Sequence, residues 1–301
     1  RATCCRFLSH PAMIDALAAS PDLPQRHPRR RIPMTTGLLK AKRWLNRAFG
    51  GLRSMASAIG KTAVDVLYPP RCLHCEVDLV SLPTGPMLCA ECQRDLAPAC
   101  MRGCQRCGAP LPDGIASPEK CHHCRGESFD FETVVALDAY QGHLRDVILR
   151  LKRPGSEPLG NAMGTLLGQR RGEQILGLRP TVVVPVPMHW LRRLVRKENG
   201  PDAIAAAVAA VLHVPCTSRV LRRTRNTKPQ KGLNALERRR NPIGAFAVRA
   251  AYDIRGARVL LIDDVLTTGA TCHHAAKALK HGGADAVFVA VLGRVLDDRS
   301  A

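Results

Sequence analysis

No stretch of this sequence stays apolar long enough to cross a bilayer. The longest uncharged apolar run, Ala203 to Leu212, is short and alanine-rich, as a plain buried helix is. A transmembrane segment is therefore not expected, and with no recognisable secretory signal the chain is read as cytoplasmic. Acidic residues are scarce as well: 25 Asp and Glu stand against 45 Lys and Arg, for a formal net charge of +20. Such a surplus points to polyanionic partners, either nucleic acid or a substrate carrying several phosphates, without choosing between them. The 301 residues, 46% of them hydrophobic, allow two domains and at least one proper core.

Arg1 to Pro33 lack a starting Met, are rich in Arg and Pro, and show no sustained periodicity. Residues 1–37 are expected to be a disordered or non-native extension, with Met34 as the true start. Leu38, Leu45, Leu52, Ile59 and Val66 then recur at intervals of seven, while Lys40, Lys42, Arg43, Arg47 and Arg53 lie elsewhere. This predicts a basic amphipathic helix within residues 38–70, bent at Gly50 and Gly51 and stopped by Pro69 and Pro70. Packing on its own protein is the plainer use of such a helix; a membrane or DNA surface is the alternative.

Eight cysteines follow in register. Cys72, Cys75, Cys89 and Cys92 form two CxxC pairs, and Cys104, Cys107, Cys121 and Cys124 repeat them after a constant shift of 32 residues. Thirteen residues separate the pairs in each copy, close to the spacing of a four-cysteine zinc ribbon. The duplication argues for two consecutive ribbons over residues 71–128, each holding one structural zinc. Disulfides would require an oxidising compartment, and a redox motif would need one pair rather than four. Metal would supply most of this module's folding energy, because its large apolar residues are few.

Beyond Phe129 the pattern turns to α/β, taken as one unit over 129–301. Strands are expected at Glu132 to Tyr140, Thr181 to Val186, Cys216 to Leu221 and Asp285 to Leu292, with Asn241 to Val248 leading back into the sheet. Helices are expected at Gly142 to Lys152, Leu159 to Leu176 and Asp202 to Leu212. Pro185, Val186 and Pro187 end the second strand in VPVP, where proline can hold unusual geometry such as a cis bond. His189, Arg192, Arg193, Arg196 and Lys197 come directly after. Arg219 to Arg240, with nine basic residues and one acid, reads as a mobile basic loop running into a short helix. Cys216 and Cys272 are read as packing cysteines.

The densest signal is Val259 to Thr271, VLLIDDVLTTGAT. Val259 to Ile262 form an uninterrupted apolar strand, covered on both faces. Asp263 and Asp264 follow, and Val265, Leu266, Thr267, Thr268, Gly269, Ala270 and Thr271 lead into a helix. Gly269 lets the backbone approach an anion and the helix amino end favours one, while two carboxylates can accept from vicinal ribose hydroxyls or hold magnesium. A merely capped turn would need only one of those acids.

This stretch resembles the ligand loop of the type I phosphoribosyltransferases. The ordered motifs are similar, over roughly Leu38 to Leu292, to the ComF family of competence-associated, phosphoribosyltransferase-like proteins. They are the Pro-Pro-x-Cys junction, the double ribbon, AYQGHLRDVILRLK, VVVPVPMHWLRR, TKPQKGLNALERRRNPIGAF and LLIDDVLTTGAT.

The resemblance implies a parallel sheet with helices on both faces, preceded by a small double zinc ribbon module. It also implies a site for phosphoribosyl pyrophosphate with magnesium. There Asp263 and Asp264 hold the ribose and residues 265–271 its phosphate. Pro185, Val186, Pro187 and His189 form the pyrophosphate loop. Lys152 and Arg193 stabilise the leaving pyrophosphate, aided by Gln230 and Arg238 of the mobile loop. A role in natural transformation and a possible homodimer follow from the family. No residue stands out as a general base, and the acceptor is not identified. Phosphoribosyl transfer is therefore one expectation; a non-catalytic adaptor for single-stranded DNA or an uptake helicase, using the ribbons and basic surface, is the other.

Overall fold

The computed structural model describes residues 69–79, 85–98, 103–111, 121–187, 200–225 and 242–296. They all fall within one compact unit, Thr62–Ala301. The extension at 1–37, nearly all of the predicted amphipathic helix, and His189, Arg193, Gln230 and Arg238 lie outside the described residues.

Four parallel strands make the central sheet: β1 (Thr133–Ala139), β2 (Val182–Pro185), β5 (Arg258–Leu266) and β6 (Ala286–Arg294), in the order β1-β6-β5-β2. Every residue of β6, AVFVAVLGR, is buried, which is why it reads as an unbroken apolar run up to its closing Arg294. It lies between β1, with Val135 opposite Ala290, and β5, with Ile262 opposite Ala290 on the other side. β5 in turn pairs with β2, placing Pro185 opposite Ile262.

Successive side chains of each strand point to opposite faces. On one face Leu137, Val183, Leu260, Ile262 and Phe288 join a core with α2 (Gly142–Arg150), α3 (Glu157–Gly177) and α4 (Gly200–Leu212). On the other Val134, Val184, Val259, Leu261, Val287 and Val289 pack against α5 (Ala270–His281) and a short ribbon of β3 (Leu221–Arg223) with β4 (Phe246–Val248). The long α3 presents Gly160, Gly164 and Gly168 to α4; a Cβ on Gly164 would sit 2.4 Å from the Ile204 carbonyl oxygen. That small-residue row sets how closely the two helices approach.

The first cysteine repeat merges with this architecture. Cys72, Cys92 and Leu96, the last two on α1 (Ala90–Leu96), belong to the same core as α2 and α3. The second repeat keeps its own small cluster of Cys104, Cys107, Ala109, Cys121 and Cys124, with Phe129 against it.

Four sequence expectations need correction. The strand expected at Cys216 to Leu221 starts later: Cys216 makes only an isolated bridge to Val183, and the strand at Leu221 pairs antiparallel with Phe246–Val248, outside the main sheet. Asn241 to Val248 therefore leads into that ribbon, because Phe246 and Leu221 cover α5 rather than extend the sheet edge. Cys216 is exposed, not a packing residue, while Cys272 is buried. No cis peptide bond occurs among the described residues, so the VPVP turn is built from trans units.

Candidate functional site

β5 does not stop at Ile262 but continues to Leu266, so both acids lie inside the strand. Strand alternation sends them to opposite faces. Asp263 turns toward α5, where the Cys272 thiol donates to Oδ2 at 3.8 Å. Asp264 turns toward the α2 side, where Lys152 Nζ, 112 positions earlier in the chain, stands 3.8 Å from Oδ2. The backbone ties the pair together, since the Asp264 N–H donates to Asp263 Oδ1 at 2.9 Å.

Burial pushes the Asp263 carboxyl up to about 8, and the charge of Asp264 adds to the rise; the Asp264 N–H and Lys152 oppose it without cancelling it. The acid pair therefore holds one proton near neutrality, which an arriving cation or hydroxyl donor would displace. Burial and the neighbouring Asp263 raise the Cys272 thiol well above its usual range, keeping it a donor rather than a nucleophile.

After the acids, the Val265 and Leu266 side chains pack inward, one on each core, so these residues offer the site backbone rather than side chains. Thr267 and Thr268 then turn the chain into α5. Gly269, its N-cap, has φ of 78°, and a Cβ there would lie 3.0 Å from Phe129 Cε1; only glycine suits both constraints. The N-cap offers no side chain and the first turn, beginning Ala270 and Thr271, carries no acid. Thr268 Oγ1 meets the Ala270 N–H at a long 3.4 Å. A helix amino end so prepared suits an anion, through the positive end of its dipole.

The proline turn lies alongside. Val186 N–H donates to the Ile262 carbonyl at 2.8 Å, so residues 185–187 leave the sheet beside Asp263. The structure thus brings together Lys152, Pro185, Val186, Pro187, Asp263, Asp264 and the turn to Thr271 at the carboxyl ends of β2 and β5, where sheets of this kind hold ligands.

The eight cysteines form two groups, Cys72, Cys75, Cys89 and Cys92, and Cys104, Cys107, Cys121 and Cys124, with the ligand atoms of each group within 4.8 Å of one another. Sulfur separations are 3.7 Å for Cys75 and Cys89, 3.8 Å for Cys104 and Cys124, and 3.5 Å for Cys107 and Cys121. A tetrahedral zinc with bonds of about 2.3 Å sets its sulfurs roughly 3.8 Å apart, whereas a disulfide holds them near 2.05 Å. The pairing is the consecutive one, and the spacing fits structural zinc. Burial opposes ionisation of Cys72, but N–H groups of Cys75, Cys89 and His74 outweigh it and lower its thiol to about 6, poising it as a thiolate.

Three residues near the site escaped the sequence. Cys272 contacts Asp263, as above. Arg294, 7% exposed, donates from Nη1 to the carbonyls of Leu266 at 3.1 Å and Thr267 at 2.6 Å. Phe129 stands against Gly269 and stacks on Phe131 with ring centres 4.6 Å apart. The one available signal was Arg294 itself, a guanidinium closing a strand of otherwise apolar residues.

A parallel sheet with an acid pair, a glycine-bent helix start and two tetracysteine centres defines a phosphoribosyltransferase-type α/β protein bearing a double zinc ribbon. Family models agree: the double zinc ribbon domain matches residues 63–125 and the phosphoribosyl transferase domain residues 202–300. DNA utilization protein YhgH of Escherichia coli (strain K12) is 31% identical over 231 residues, 71% of this chain and 99% of that protein. Competence protein F of Haemophilus influenzae is 28% identical over 228 residues, 74% of this chain and 96% of that protein. This chain belongs to the family of competence protein F and YhgH, to which its ordered motifs had pointed. A purine phosphoribosyltransferase from Pyrococcus horikoshii Ot3 aligns over 54% of this chain and 91% of its own, at 15% identity and a TM-score of 0.27, too slight a likeness to carry weight. No helix among the described residues is long and apolar enough to cross a membrane.

Proposed function

We propose that this protein binds phosphoribosyl pyrophosphate with magnesium at the carboxyl end of β5, and that it serves in the uptake or use of DNA, as the names of its relatives suggest. The observation that carries the ligand reading is the meeting of Asp263 and Asp264 with Lys152 and the amino end of α5 at the carboxyl end of β5. The helix start takes the 5′-phosphate, the acids accept the ribose hydroxyls, and Lys152 faces the pyrophosphate. Residues 185–187 line the pyrophosphate side; His189, Arg193, Gln230 and Arg238 would add donors there. Magnesium, which favours carboxylate, phosphate and water oxygens, suits this donor set and would neutralise charge on the pyrophosphate.

Titration calorimetry with phosphoribosyl pyrophosphate and magnesium tests the reading. Saturable heat in the intact protein and at least a tenfold loss of affinity in Asp264→Asn are expected; absence of heat in the intact protein would overturn it.

A further inference from the structure

We infer that the second tetracysteine centre positions the phosphate loop, so that zinc at Cys104, Cys107, Cys121 and Cys124 and an anion at residues 267–271 reinforce each other; the anion half rests on the ligand reading above. Arg294 is the link. Its Nε donates to the carbonyl of Cys107 at 2.9 Å, while its Nη1 donates to the carbonyls of Leu266 and Thr267. One guanidinium thus ties the backbone of a metal ligand to the two peptide units that open the loop.

The consequence follows from peptide geometry. In a planar trans peptide the C=O and the next N–H point in opposite directions. The Leu266 oxygen also accepts from the Val295 N–H at 2.9 Å; with the Thr267 oxygen on Arg294, the N–H groups of Thr267 and Thr268 therefore aim the other way, outward from Arg294 and available to an anion. A guanidinium offers five donors in a rigid fork, so it can span carbonyls on separate segments; an ammonium on a flexible stem cannot fix the same three.

A second connection runs beside the first. Arg106, adjacent to Cys107, donates to the carbonyls of Phe129 at 2.7 Å, Phe131, and Glu132 at 3.1 Å, and lies over both phenyl rings. Phe129 in turn abuts Gly269, the N-cap of α5. The same knuckle is fixed to the sheet edge, because Val134 N–H donates to the Gln105 carbonyl at 2.9 Å. Zinc keeps this knuckle folded, and the folded knuckle keeps Arg294 and Phe129 in place.

The first centre is wired differently: Arg150 of α2 donates to the carbonyls of Leu73 at 2.7 Å and His74 at 3.0 Å, bearing on the helix that leads to Lys152. The two centres therefore act on different parts of the site.

Native-state hydrogen exchange on the full chain tests the link without needing a ligand. In the wild type, the Gly108 amide, bonded to the Cys104 carbonyl, and the Val295 and His273 amides, bonded to the Leu266 and Gly269 carbonyls on either side of the loop, should open as one unit, with the same dependence on denaturant. In Arg294→Lys and Arg294→Gln, exchange of the Val295 and His273 amides should rise about tenfold or more while that at 287–291 and the zinc content stay unchanged. In calorimetry both variants should weaken phosphoribosyl pyrophosphate with magnesium by about tenfold, and that ligand should slow chelator extraction of the zinc at Cys104, Cys107, Cys121 and Cys124.

Unmoved exchange of the Val295 and His273 amides in folded variants overturns the link. Should the variants not fold, independent opening of the two wild-type segments overturns it. If the wild type takes no phosphoribosyl pyrophosphate, the ligand reading falls while exchange still decides the link.

Discussion

If phosphoribosyl pyrophosphate binds as proposed, the acid pair makes that binding depend on pH in a calculable way. Burial and Asp264 raise the Asp263 carboxyl from 3.8 to about 8, so the ligand-free protein holds a proton there at neutrality that the unfolded chain would release. Folding therefore favours the protonated form: the group costs nothing below about pH 4 and costs progressively more stability as pH climbs toward 8. Ribose hydroxyls and a cation both need the carboxylate, so affinity should track its ionised fraction. For a value near 8, that fraction rises about thirtyfold from pH 6.5 to pH 9, about 2 kcal/mol in binding free energy, and then levels.

The range starts at 6.5 because a phosphate loses its own last proton near 6. Titration calorimetry in two buffers of different ionisation heat would show the affinity rise and the release of nearly one proton at pH 7. Asp264→Asn removes the neighbouring charge and should shift the rise to lower pH. Equal affinity at both ends of the range, or binding without proton release, would refute the shared proton.

Two further outcomes test the frame around the site. Gly164→Ala drives a Cβ against the Ile204 carbonyl, and separating α3 from α4 should outweigh the gain in helix propensity; a loss of about 1–3 kcal/mol by urea unfolding is expected, and an unchanged or higher midpoint would contradict that packing. Native mass spectrometry should find two zinc ions per chain, and cobalt substitution should give the absorption of tetrahedral thiolate sites. Cys92→Ser should lose one metal and also lower the melting temperature, since its centre shares the core of α2 and α3; retention of both metals would contradict the consecutive pairing.

Much was legible before folding because it is local. The uninterrupted runs at Val182–Pro185 and Ala286–Leu292 announce strands covered on both sides, and the constant shift of the cysteines assigns each to its centre. Asp263, Asp264 and the glycine-containing turn point by residue type to anion and ribose chemistry. The ends of elements were less clear. Polar residues normally close a strand, so Asp263 and Asp264 looked terminal, yet β6 goes on supplying partners as far as Arg294, which carries β5 past them. The misplaced strand near Cys216 has a similar cause: its partner Phe246–Val248 lies far along the chain, and pairing, not propensity, chose Leu221–Arg223.

Sequence by itself determined the fold class, the two metal centres and the chemistry offered by the acidic strand, since periodicity, spacing and residue type are all properties of neighbours in the chain. Tertiary structure alone decided that the two acids face opposite sides, that Lys152 reaches one and Cys272 the other, and that Arg294 joins Cys107, 187 positions away, to the turn that opens α5. Such contacts depend on sheet order and on which helix covers which face, and these are settled by burying both faces of the sheet at once.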